Sequence, residues 1–296
     1  MNKPNLQSYL LLVLLSLIWG TSFILMKRGM VVYPPDQVGA LRVVVAGLLF
    51  VPLYLLKRPK VPKGKYKYIS LFGLLEVGAP PFLFTYAQQH VTSSTAGIIN
   101  AMTPLFTLLV GLSFFGTHYN FKKLGGVLIG LAGAIFLIFF KSAGAGFEMH
   151  MGNAFGLLIV IATALYGFAG NIMKRHLQDV PDLSTTSLAF ITMSIPAGIY
   201  LATTDFLTIS FTHPGAWQAF LAVVTLSTFG SALAIFIFSR LVKTSSALFA
   251  SFVTYLIPFV AMGWGAIDGE AVTGLELVGL FVILSGITLA NSGEKS

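Results

Sequence analysis

The chain is a succession of long apolar blocks divided by short breaks that hold its charged, polar, glycine and proline residues. Cutting at those breaks gives ten candidate spans, at about residues 9–29, 37–56, 67–88, 93–115, 122–140, 153–173, 183–203, 215–240, 246–267 and 273–291. Most have about 20 residues, the length at which a helix crosses roughly 30 Å of hydrocarbon. A membrane β-barrel needs strands of roughly 10 residues alternating apolar and polar, whereas the run Tyr9 to Trp19 is interrupted only by Ser16. The spans are therefore read as helices and the fold as an all-α integral membrane bundle. The first block follows Lys3 in the manner of a signal peptide, but no A-x-A site comes after it, so it is read as a retained first helix.

Composition agrees. Of 296 residues, 56% are hydrophobic and 9% charged, with a mean hydropathy of +0.85, where a soluble domain carries about 25% charge. The longest connections, Lys57–Lys67, Ser142–Gly152 and Thr204–Pro214, are too short to fold alone. A net charge of +8 on a soluble chain would point to nucleic acid; here the bases crowd into short loops and set topology instead, so no nucleic-acid partner is expected. With the N-terminus placed inside, 14 of the 18 Lys and Arg fall in inner segments. Only Lys27, Arg28 and Lys141 fall outside, and Arg42 lies within the second span. Both termini are thus predicted to be cytoplasmic. The absence of cysteine excludes disulfides, thiolate metal sites and cysteine nucleophiles.

The two halves repeat. Trp19-Gly20 with Met26-Lys27-Arg28 returns 147 positions later as Tyr166-Gly167 with Met173-Lys174-Arg175. Thr92-Ser93-Ser94 and Pro104 return as Thr244-Ser245-Ser246 and Pro258, the prolines 154 apart; Leu124, Gly126 and Gly133 return 153 positions later as Leu277, Gly279 and Gly286. A unit of five spans, being odd, must lie inverted relative to its copy, the arrangement of secondary transporters that expose a midplane site to each side in turn. Residues 1–141 and 153–296 are the expected repeats, joined by 142–152.

Trp19-Gly20-x-x-Phe23, Leu41-Arg42, the Ser/Ala-rich stretch leading to Pro104-Leu-Phe-Thr107, Tyr255-Leu-Ile-Pro258, Trp264-Gly265 and Asp268-Gly269-Glu270 resemble the EamA-type drug/metabolite transporters over nearly the whole chain. The resemblance implies ten helices around a central cavity and movement of small metabolites, often export of amino acids or related compounds. One departure stands out: the family's Gly-Glu pair after the fourth helix is here Gly116-Thr117, and only the second half keeps its acid, Glu270.

Glu76 is the only acid deep within a span, and a carboxylate there costs about 2.5–3.5 kcal/mol on insertion scales, so it must face a cavity or a partner. It is the candidate for proton coupling; the alternative is a hydrogen-bonded structural Glu. Arg42 is read as paired with Glu76 or bonded to helix ends, ahead of gripping a substrate carboxylate or snorkelling outward. Lys27 can line the outer mouth or serve structure, and Arg28 the headgroups. Pro80-Pro81 interrupts the third span's hydrogen-bond ladder, and Pro104 and Pro258 mark matching bends. Trp19, Tyr86, Asn100, Tyr166 and Trp264, with Gln88, Asn171 and Tyr255, are the polar and aromatic candidates for completing a substrate pocket; each taken singly also suits packing or an interfacial belt.

The five histidines lie in loops or at helix ends without metal-ligand spacing, no serine–histidine or carboxylate pair lies within the spans, and no phosphate-loop motif occurs. No enzyme, metal or cofactor is expected. Gradients then drive the work: a membrane potential supplies about 2.3 kcal/mol per charge per 100 mV. The expected function is secondary transport by alternating access, as efflux or exchange, at the inner membrane. The partners are a small-molecule substrate, the bilayer and, through Glu76, protons. The alternative is a passive facilitator or a non-transporting subunit of a membrane complex.

Overall fold

A computed structural model of the chain describes residues 5–57, 61–116, 121–143, 146–149, 154–244, 249–250 and 252–292. Among the described residues, eight helical segments are long and apolar enough to cross a membrane: Leu6–Gly29, Pro35–Leu56, Lys63–Ala87, Ser93–Phe114, Phe121–Phe139, Gly156–His176, Asp182–Thr203 and Ala216–Leu233. Two shorter apolar helices, Val253–Ile267 and Gly274–Ala290, follow. The expected start of the ninth span, with Ser245 and Ser246, lies outside the described residues, as do Thr117, His118 and His150. The elements are α1 (Leu6–Gly29), α2 (Pro35–Lys57), α3 (Tyr66–Gly73), α4 (Pro80–Ala87), α5 (Ser93–Asn100), α6 (Thr103–Phe114), α7 (Phe121–Phe139), α8 (Gly156–His176), α9 (Asp182–Thr203), α10 (Phe206–Thr212), α11 (Ala216–Ser227), α12 (Ala234–Thr244), α13 (Val253–Ile267) and α14 (Gly274–Ser292).

Two departures from the expected pattern concern connections. The all-helical reading misses an antiparallel hairpin, β1 (Phe140–Ala143) with β2 (Gly146–Met149), which pairs Phe140 with Met149 where the chain leaves α7. Pairing satisfies backbone groups that no helix continues. The connection Thr204–Pro214 contains α10, and Tyr33, only 2% exposed, places its hydroxyl 3.0 Å from Ser210 Oγ on that helix.

The third and fourth spans are broken, each in a way its prolines dictate. Between α3 and α4 the backbone winds as a π-helical turn, Leu74–Gly78, closed by the Ala79 amide donating to the Leu74 carbonyl at 2.9 Å. Pro80 and Pro81 remove the two donors that an uninterrupted ladder would offer the carbonyls of Glu76 and Val77. The helix then restarts with proline in its first turn, where a missing amide costs nothing. Pro104 would likewise strand the Asn100 carbonyl, but the Thr103 hydroxyl donates to it at 2.8 Å. A second π-helical turn, Thr228–Leu233, joins α11 to α12, and its start lies 154 residues after Leu74, the spacing that separates Pro104 from Pro258.

Helix packing follows the repeat. α7 crosses α14 backbone to backbone: a Cβ on Gly126 would meet the Gly286 carbonyl at 2.4 Å. α2 lies against α9 at Gly47, whose Cβ would stand 2.9 Å from the Phe190 carbonyl. α1 packs on α13, where a Cβ on Gly20 would meet Val260 Cβ at 2.5 Å, and α8 packs on α6, where a Cβ on Gly167 would stand 2.8 Å from the Phe106 carbonyl carbon. These last two contacts correspond: Gly20 and Gly167 are 147 apart, Phe106 and Val260 are 154 apart. Without a hydrophobic drive between helices in lipid, small residues that let backbones approach supply the association. Large apolar side chains such as Leu10, Leu56, Phe121 and Phe281 stay exposed on the outside.

Candidate functional site

Two charged side chains and a tyrosine from different helices lie within electrostatic range inside the bundle. Arg42 comes from α2, Glu76 from the π-helical turn and Tyr166 from the middle of α8; Tyr166 interacts electrostatically with both charged groups. Tyr166 continues into an aromatic wall, its ring 6.3 Å from Phe84, which is 6.0 Å from Phe23. All three keep part of their surface open.

Arg42 is expected to be held by Glu76 or by helix ends, and neither contact is present among the described residues. No ion pair joins the two among the described residues, and the hydrogen-bond contact of Arg42 is Nη1 to Met26 Sδ at 3.7 Å. Depth explains the separation. At 1.5 Å per residue, Arg42 lies about 10 Å along α2 from its start, whereas Glu76 lies about 16 Å back from the matching end of α4. The Glu76 carboxylate has no hydrogen-bond partner among the described residues and is not sealed from accessible space.

The other candidates divide. Trp19 donates from Nε1 to the carbonyl of Gly230, 3.1 Å away in the second π-helical turn. Asn100 ends α5 half-buried with no side-chain hydrogen bond among the described residues. Trp264 donates to Thr21 Oγ1 at 2.8 Å. Tyr86, 44% exposed, stands apart from the Arg42–Glu76–Tyr166 group, in electrostatic contact with Tyr200. Gln88 donates to the Phe23 carbonyl at 3.1 Å, and Asn171 donates at 2.8 Å to the carbonyls of both Thr107 and Gly167. Tyr255 packs on Phe252. Pro104 opens α6, whereas Pro258 lies inside α13.

The sequence reading missed a polar network at one end of the bundle. Lys27 Nζ reaches Glu270 at 2.7 Å and Asp268 at 2.9 Å, and Arg28 also pairs with Asp268. Glu270, whose side chain is 5% exposed, accepts from the Ser93 amide at 2.9 Å and from its hydroxyl at 3.2 Å. Glu276 accepts from the hydroxyls of Thr92 and Thr95 at 3.0 and 2.9 Å and from the Thr273 amide at 2.9 Å. Together these bonds tie α1, α5, α13 and α14. A hydrogen bond from Lys27 holds the Asp268 carboxyl below the usual carboxylate range. A depressed native pKa contributes stability that is complete above the unfolded value of about 3.9 and is lost as pH falls through the folded value. Asp268→Asn should therefore lower the unfolding free energy near neutral pH by a few tenths to about 1 kcal/mol, read as a lower thermal midpoint, since its cationic partners are partly exposed. Melting curves of variant and parent should converge once the pH has fallen below both the unfolded and the folded pKa of Asp268.

Among the described residues no cluster of three or more His, Cys, Asp or Glu could hold a metal ion.

Comparison with known proteins matches the EamA-like transporter family twice, over residues 6–139 and 154–292. The chain is 28% identical over 284 residues to the uncharacterized inner membrane transporter YedA of Escherichia coli K12, covering 95% of this chain and 89% of the relative. It is 24% identical to a probable amino-acid metabolite efflux pump of Salmonella typhimurium, with 94% and 92% covered. It is 25% identical to an S-adenosylmethionine/S-adenosylhomocysteine transporter of Chlamydia trachomatis, with 95% and 89% covered. A crystal structure with 17% identity shares the fold at a TM-score of 0.62, covering 97% of this chain and 98% of that one. These relatives are named as transporters rather than enzymes. With paired matches spanning both halves of a multi-pass helical bundle, the chain belongs to the EamA-like transporter family.

Proposed function

We propose that the chain is a secondary transporter of a small dipolar metabolite, an amino acid or a related compound, working in efflux or exchange by alternating access. Its ten spans form two inverted five-helix repeats, residues 1–141 and 153–296, in the inner membrane with both termini cytoplasmic. The observation that carries this reading is the pair of charges without an ionic partner among the described residues, Arg42 and Glu76, both within electrostatic range of Tyr166 in the interior of the bundle. Charges so placed are expensive unless something meets them. A zwitterion supplies both missing partners, its carboxylate to the planar fork of Arg42 and its ammonium to Glu76. Trp19, Asn100 and Trp264 complete the walls, and Lys27 belongs to the structural network at the bundle's end.

The π-helical turns, whose starts are 154 residues apart, and the Gly20 and Gly167 crossings, 147 apart, support the repeat, since equivalent features recur in the same order in both halves. Discontinuous helices at a midplane site are how such repeats build substrate pockets. The names of two relatives, one for amino-acid metabolites and one for S-adenosylmethionine, agree with a substrate carrying both charges. Counterflow of a radiolabelled metabolite panel into proteoliposomes tests the reading. At least one amino acid or close relative should exchange, and Arg42→Gln should weaken its exchange about tenfold or more, the loss expected for a hydrogen bond to a charged group. A panel in which no zwitterion exchanges overturns it. Simple equilibration, insensitive to any imposed ion gradient, would make the protein a passive facilitator.

A further inference from the structure

Far from the Lys27 network, the first turn of α7, the start of α6 and the last turns of α8 and α14 enclose a cavity of about 140 Å³. Its walls include Pro104, Thr107, Lys123, Asn171 and Lys174, and none of its described lining residues is acidic. Lys123 is only 9% exposed, yet its ammonium has no hydrogen-bond or ion-pair partner among the described residues; the same holds for Lys174, which is exposed. Lys123 lines this cavity, and its ammonium is not sealed in protein. Asn171 spends its amide hydrogens on two carbonyls, leaving the lysines as the donors that face the opening.

The repeat explains the imbalance. Lys174 follows Lys27 by 147 positions, and Lys123 precedes Glu276 by 153. In the network at the other end, Lys27 is neutralised by Asp268 and Glu270, and Glu276 is met by threonine hydroxyls. In the first half, the position 153 before Glu270 is Thr117 and the position matching Glu276 is itself a lysine. Two acids have become a hydroxyl and a base. A nearly buried ammonium without a counter-charge is costly, and an anion removes the cost.

We propose that this cavity is an anion site, taking a phosphate or carboxylate group between Lys123 and Lys174. Two sources share that chemistry, a phospholipid headgroup and a soluble anion, and basic pockets between membrane helices suit either. The proposal stands whether or not the protein transports a zwitterion, because binding alone tests it. The test is thermal denaturation of the intact purified chain at matched ionic strength in two arms. One arm titrates inorganic phosphate in neutral detergent; the other compares phosphatidylcholine nanodiscs with and without phosphatidylglycerol. A saturable rise in midpoint of about 2 °C or more is expected in one arm, phosphate identifying a soluble anion and phosphatidylglycerol alone a headgroup. Lys123→Gln should weaken the apparent affinity about 10- to 100-fold, and Lys123→Glu, which restores the acid of the other half, should abolish the response. Lys174→Gln, at an exposed position that does not threaten folding, should weaken it similarly and decides the matter if the Lys123 variants do not accumulate. No saturable rise in either arm, or affinities within about twofold of the parent in the variants, overturns the proposal.

Discussion

Replacing Glu76 with Gln is expected to abolish the response of transport to a pH gradient while leaving measurable counterflow, weakened about tenfold because the substrate ammonium loses its charged partner. Gln matches the carboxyl in shape and keeps an acceptor for a substrate ammonium, but it cannot bind and release a proton. Glu76 occupies a turn whose carbonyls the following prolines leave without their helical donors, so the polar lining of the pocket survives the change. The measurement is accumulation of labelled substrate in proteoliposomes with and without an imposed pH difference, alongside exchange at equal pH. An unchanged pH response would remove Glu76 from coupling. Loss of both activities would leave Glu76 a substrate-binding group with no separate part in coupling.

Gly286→Leu is expected to prevent recovery of folded protein. A Cβ at this position would lie 2.6 Å from both the Gly126 carbonyl oxygen and the Gly130 amide nitrogen, and both are helix backbone that cannot swing aside. Overpacking usually costs about 1–3 kcal/mol where side chains can shift; here α7 and α14 must separate along their crossing, so the cost should reach about 3 kcal/mol or more. Gly263→Ala is the control. No atom lies within 4 Å of a Cβ there, and exchange of a helical glycine for alanine favours the helix by about 0.5–1 kcal/mol. Size-exclusion profiles and melting midpoints in detergent should show aggregate or nothing for the first and a midpoint equal to or above the parent for the second.

These expectations rest unevenly on the sequence. Span positions were readable because hydrocarbon demands an unbroken apolar run of a fixed length, and the chain must meet that demand locally. The repeat was readable because it is a matter of order along the chain: Trp19-Gly20 and Tyr166-Gly167 announced their equivalence before their partners Val260 and Phe106 were known. The break in the third span was placed at the prolines, and the structure places it one turn earlier, at Leu74–Gly78, because proline dislocates the ladder through the carbonyls that precede it. The hidden part is helix rotation. Hydropathy that runs all round a helix does not say which side meets which neighbour, so the Lys27–Glu270 contact, 243 residues apart, and the missing bond between Arg42 and Glu76 were not legible. The interval of 147 between Lys27 and Lys174 was already visible, but without the Lys27 network there was nothing to compare it with.

A π-helical turn accommodates one residue more than regular winding would. Deleting a single position between Leu74 and Gly78, or between Thr228 and Leu233, would take the extra residue out of the turn and leave everything beyond it still facing its old neighbours. The same deletion in the uninterrupted α8 would swing the remainder by about 100° and present buried faces to lipid. These two turns are therefore where this bundle can change length without being rebuilt.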